Sequence, residues 1–147
     1  MKKKPDLTKG LLGGAAVIQA ILLTAVWVLQ NLAHQKAGVN HHLQFRKTSW
    51  MHAYLTDRNV LLATVILSAA AMILIFLLIR SRNKRNPAAK AAAVLTVLWI
   101  GAGLFAMYSP AARELLVYPY LLLALGCALL VSAVPTAAGI LQSRNKS

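Results

Sequence analysis

Four runs of apolar residues, each about 20 long, alternate with polar segments along the chain. A run of that length spans the hydrocarbon core of a bilayer as a helix. The pattern predicts spans at 10–33, 60–79, 88–108 and 115–141, the last kinked or ended near Pro135. Between and around them lie a basic N-terminal segment (1–9), a long polar segment (34–58), a basic turn (80–87), a short turn (109–114) and a tail (142–147). The expectation is an all-α integral membrane protein. Its four transmembrane helices form an antiparallel bundle, with a short amphipathic helix in the first extracytoplasmic loop.

The interior of each run adds detail. In the first, Gly13, Ala16, Ala20 and Thr24 recur three or four residues apart. They predict a narrow face on which a second helix can approach closely. Gln19 lies within about half a turn of that face, and its amide should pair with a neighbour because an unpaired polar group in lipid is costly. Trp27 reads as an interface anchor. In the second run Ser68 to Ala71 make a small middle, and Met72 to Ile79 are bulky and suited to lipid. In the third, Gly101 and Gly103 lower helix propensity, so they are expected to serve close packing. Asn86 before Pro87 reads as a helix start, and Ser109-Pro110 as a helix end. Thr56 or Asp57 is the expected cap of the second span.

Charge then orients the chain. Sixteen Lys and Arg face three acids, Asp6, Asp57 and Glu114, for a net charge of +13. The basic residues collect at the ends of apolar runs, which fits membrane orientation rather than nucleic acid. With both termini inside, Lys2, Lys3, Lys4, Lys9, Arg80, Arg82, Lys84, Arg85, Lys90, Arg144 and Lys146 are cytoplasmic, leaving five basic residues outside. That bias predicts a multi-pass cell-membrane protein with cytoplasmic termini and a retained signal anchor, bacterial in appearance. Lys2, Lys3, Lys4, Arg80, Arg82, Lys84 and Arg85 are the expected orientation signal. Anionic lipid head groups are the expected counter-surface.

Chemistry is sparse. The four spans hold no ionisable residue at their centres, where coupled pumps usually place one. Asp57 and Glu114 each adjoin an arginine, Arg58 and Arg113, and are expected to form ion pairs at helix ends. One cysteine, Cys127, excludes an internal disulfide and a CxxC pair. No P-loop, dinucleotide fingerprint, HExxH or G-x-S-x-G occurs. The first-span glutamate of small multidrug-resistance pumps and the cysteine pair of vitamin K epoxide reductase-like enzymes are both absent. The size and basicity match microsomal glutathione-transferase-like proteins, but their arginine- and glutamate-containing motifs are missing, so no family is assigned.

All four histidines, His34, His41, His42 and His52, fall in the polar segment. Of these, His41, His42 and His52 are the candidate metal ligands. Spacing weighs against a shared ion: on one helix His41 and His52 stand roughly 16 Å apart, and His41 and His42 diverge by about 100°. The same helix gathers Leu43, Trp50 and Tyr54, with Met51 and Leu55 beside them. Lys47 falls inside that arc and Phe45 outside it. This reads as an imperfect amphipathic helix that lies on the outer membrane face or caps the bundle. No cofactor is expected.

The leading functional expectation is a non-catalytic accessory, regulatory or assembly subunit with a protein partner in the membrane. The alternative is an oligomeric transporter or channel component, a homo-oligomer assembled through the small faces of the first and third spans. The third is a membrane enzyme or metal/haem protein using the histidine-rich loop.

Overall fold

The computed structural model describes residues 7–80 and 87–144. Lys2, Lys3, Lys4, Arg82, Lys84 and Arg85, and the expected cap Asn86, lie outside the described residues. Among the described residues the chain forms six helices and no strand: α1 (Leu7–Gln35), α2 (Ala37–Ala53), α3 (Asp57–Arg80), α4 (Pro87–Tyr108), α5 (Pro110–Glu114) and α6 (Tyr118–Arg144). Four of them, α1, α3, α4 and α6, are long and apolar enough to cross a membrane.

Local chemistry sets the boundaries. Lys36 adopts an extended conformation between α1 and α2, breaking what would otherwise be one helix. Thr56 sits ahead of α3, and its carbonyl accepts the Val60 N–H at 3.0 Å. Pro87 opens α4, where its missing N–H leaves no bond unmade. Ser109 caps α5: its hydroxyl accepts the Ala112 N–H at 3.3 Å, with Pro110 in the first turn. Arg113 then turns back and donates two bonds to the Met107 carbonyl, at 2.9 and 2.7 Å, satisfying the end of α4. This differs from the expected Arg113–Glu114 ion pair. A free carbonyl at a helix end accepts a guanidinium in a geometry that the adjacent residue's carboxylate does not offer.

Pro135 does not end the last span. α6 runs through it to Arg144. Proline removes one backbone N–H, the one that would reach Val131 O, and a single missing bond is tolerated in a long helix packed between two neighbours. Ser132 Oγ donates to Leu129 O at 2.8 Å, and Thr136 Oγ1 to Ser132 O at 3.0 Å.

The long helices pack unequally. α6 lies between α1 and α4 and touches both along its length, while α1 and α4 touch each other only slightly. On α1 the residues turned toward α6 include Thr8, Ala15, Gln19 and Ala33, all buried, with half-buried Leu12, Leu22, Val26 and Leu29 between them. Their spacing alternates four and three, the seam of left-handed helix packing. Gln19 meets Ala128, and Gln30 meets Val117, so α1 and α6 run in opposite directions. Thr96 meets Ser132 and Thr136, and Ala89 meets Gly139, so α4 also opposes α6. Among the described residues α3 packs only on α4, where Thr64 Oγ1 and Tyr108 Oη lie 2.9 Å apart.

One close approach holds three helices together. A Cβ built on Gly139 would stand 2.6 Å from the Ala89 Cβ, 3.2 Å from its Cα, and 3.8 Å from Thr8 Cγ2. Only glycine lets α6 pass here. Around it α4 buries Ala88, Ala89, Ala92 and Ala93, which keep the α4 surface flat enough for close packing.

The expected small-residue faces are placed differently. Gly13, Ala16 and Ala20 are exposed on α1, one residue out of phase with the seam through Ala15 and Gln19. Gly101 is exposed and Gly103 half-buried, and a Cβ on either would meet nothing within 4 Å. Within the chain, close packing falls to Ala15, the alanines of α4 and Gly139.

Candidate functional site

Two polar regions carry the residues with most chemistry. The first is buried between spans. Thr96 Oγ1 lies 2.9 Å from Ala92 O, 3.1 Å from Ser132 O and 3.0 Å from Thr136 Oγ1. One turn earlier on α6, the Gln19 amide donates to Ala128 O at 3.0 Å. Ala128, Ser132 and Thr136 stand four residues apart, so one face-to-face row of α6 polar groups serves both neighbours. Every side chain in this row has a partner, which is how polar groups persist in an apolar interior. One buried group differs: the Trp99 indole N–H on α4 has no hydrogen-bond partner among the described residues.

The second region lies at the end of the molecule where α2 packs on α1 and α6. Leu43 of α2 is buried against Ala33 of α1 and Val117 ahead of α6, with Val39, Leu115, Leu116 and Tyr120 around them. The Gln30 amide ties the same corner: its oxygen accepts the Val117 N–H at 3.4 Å and its NH2 donates to His34 Nε2 at 3.0 Å. Lys47 Nζ donates to the Glu114 backbone carbonyl at 3.1 Å, joining α2 to the end of α5. Trp50 and Tyr54 rings pack at 5.3 Å with a 54° tilt, a favourable aromatic geometry. Gln44, Lys47, Met51, His52, Glu114 and Leu116 surround an open cleft of about 490 Å³ here.

The predicted ligands are not brought together. His41, His42 and His52 are all exposed on α2, a continuous helix, so His41 and His52 stand roughly 16 Å apart along it. Among the described residues no three His, Cys, Asp or Glu side chains gather in a way that could hold a metal ion. Cys127 is exposed on α6. The expected apolar arc of α2 holds unevenly. Leu43 is buried and Trp50, Met51 and Leu55 half-buried, but Tyr54 is exposed, and so is Phe45. Arg80 ends α3.

Sequence reasoning did not single out Gly139, Ser132, Thr136 or Glu114's side of the cleft. For the hydroxyls a signal exists: Ser132 and Thr136 are spaced one turn apart around a proline, in a run otherwise apolar. For the cleft there is none, because Lys47 and Glu114 are 67 residues apart.

No family model matches the chain, and no curated protein or solved structure shows significant similarity to it.

Proposed function

We propose that this chain is a four-span integral membrane protein that serves as a non-catalytic accessory, regulatory or assembly subunit. Its four spans form an antiparallel assembly in the cell membrane, with α2 as an interfacial cap on the outer side and both termini cytoplasmic. The sorting of charge supports that orientation: Lys9 and Lys90 lie at the end where Thr8, Ala89 and Gly139 converge, and α2 and α5 lie at the other. α3 ends at Arg80 and α4 begins at Pro87, and Arg82, Lys84 and Arg85 fall between them in the sequence.

The observation that carries the subunit reading is the position of α3. It is the most apolar of the four spans, yet no residue of its apolar stretch is buried, and among the described residues it packs on α4 alone. A span held by one neighbour leaves most of its surface for lipid or for another membrane protein. Gln19, Thr96, Ser132 and Thr136, the polar groups bonded between the other three spans, include no ionisable group to couple a substrate.

Purification from native membranes in mild detergent, followed by quantitative mass spectrometry, tests this. A stoichiometric membrane-protein partner, lost when Ile66 and Ile73 on the exposed side of α3 are changed to polar residues, is the expected outcome. A chain purified alone that supports substrate flux in liposomes overturns it in favour of an oligomeric transport component. One observation favours that second reading: the Gly13, Ala16 and Ala20 face is exposed within the chain and remains open to a second copy.

A further inference from the structure

The cleft between α2 and the α5–α6 corner has a charge arrangement that selects a ligand. At about 490 Å³ it is within the roughly 300–1,000 Å³ range of small-molecule sites. Lys47 commits one ammonium N–H to the Glu114 carbonyl and keeps two more donors. The Glu114 carboxylate, from the same residue, has no partner among the described residues, and neither has the His52 imidazole. Met51 and Leu116 supply an apolar wall. A simple anion at Lys47 would meet the Glu114 carboxylate, and a simple cation at Glu114 would meet Lys47. A ligand carrying both charges a few ångströms apart satisfies both groups at once.

Glu114 and Leu116 of the cleft lie between the end of α4 at Tyr108 and the start of α6 at Tyr118. The ends of membrane-spanning helices stand at head-group depth. We infer that this cleft binds a zwitterionic phosphoester head group, its phosphate toward Lys47 and His52 and its primary ammonium toward Glu114. A membrane phospholipid and a soluble phosphoethanolamine share that chemistry. The primary ammonium matters, because it can donate hydrogen bonds to the carboxylate, whereas a quaternary ammonium cannot.

Native mass spectrometry of the full-length protein in detergent, titrated with defined lipids, tests the assignment. Phosphatidylethanolamine is expected to bind at one equivalent, at least fivefold more tightly than phosphatidylglycerol or phosphatidylcholine. Glu114→Gln should erase the preference over phosphatidylglycerol. It leaves the Glu114 carbonyl, and hence the Lys47 contact, in place. Lys47→Met should weaken both lipids about tenfold; gel filtration and far-UV circular dichroism establish that this variant stays folded. Free phosphoethanolamine that displaces the lipid identifies the head group as sufficient, and lipid retained against it identifies the intact phospholipid as the ligand. Equal binding of all three lipids, or a preference unchanged by Glu114→Gln, overturns the inference.

Discussion

α6 and α3 are both long, apolar and free of charge at their centres, yet they occupy opposite positions in the molecule. Of the most apolar stretch of α6, 33% is buried within the chain; of α3, 0%. Hydropathy therefore identifies a span without placing it. Placement follows from what the surface of the helix permits. α6 alternates Ala124, Ala128, Ser132, Thr136 and Gly139 with larger residues, so neighbours approach closely and hydroxyls reach their backbones. α3 carries Leu61, Leu62, Val65, Ile66, Met72, Ile73 and Phe76 on one broad face, all exposed. Bulky side chains keep other backbones at a distance, and lipid tails solvate them as well as protein does.

The largest effect that would break this contrast is at Gly139. Gly139→Ala places a methyl against the Ala89 Cβ and backbone, which cannot swing aside. A loss of about 1–3 kcal/mol is expected from overpacking, measured by reversible unfolding in mixed detergent micelles. Gly101→Ala, where an added Cβ meets nothing, is the matched control and should lose no stability. Next come the buried polar links. Thr96→Val removes the hydroxyl shared with Ser132 O and Thr136, and Gln19→Leu removes the α1–α6 link. Each should cost about 0.6–1.7 kcal/mol, the range of interhelical hydrogen bonds in membranes. A smaller change is expected at Trp99. Replacement by Phe removes a buried donor that has no partner, and the offset should leave Trp99→Phe less damaging than Thr96→Val in the same assay. The smallest belongs to α3: Ile66→Ala should change the stability of the isolated chain by less than about 0.5 kcal/mol. A loss comparable to that at Gly139 would show that α3 is integral to the fold and would remove the contrast.

How much of this was legible in the sequence follows the same division. Run length located the four long apolar helices, because about 20 apolar residues in a row are what such a helix needs. The polar segment was legible as a helix, and Ser109-Pro110 as a boundary. The packing seam was not. The stripe of Gly13, Ala16 and Ala20 is the more conspicuous set of small residues, but the chain uses the adjacent face through Ala15, Gln19 and Ala33. Residues one apart differ by about 100° around a helix, and Gln19, whose amide needs a partner, is the residue of α1 that marks the face α6 takes. Gly139 escaped notice because it follows Pro135, which by itself suggests that the helix is ending. The cleft was illegible for a different reason. Gln44, Lys47 and Glu114 are ordinary polar residues in their own segments, and only the seating of α2 on α1 and α6 brings them together.

The central position of α6 has a consequence for the order in which the chain can be made. It follows α1 and α4 in the chain and is the helix that joins them. Until it is inserted, the Gln19 amide lacks the carbonyl it reaches in the finished molecule, the Thr96 hydroxyl has only Ala92 O of its own helix, and α3 and α4 form a pair with little hold on α1. The nascent protein thus passes through a stage with loosely tethered spans and uncommitted polar groups. Membrane chaperones and intramembrane proteases recognise that kind of surface, so the time between synthesis of α4 and arrival of α6 is when this protein is most exposed to them.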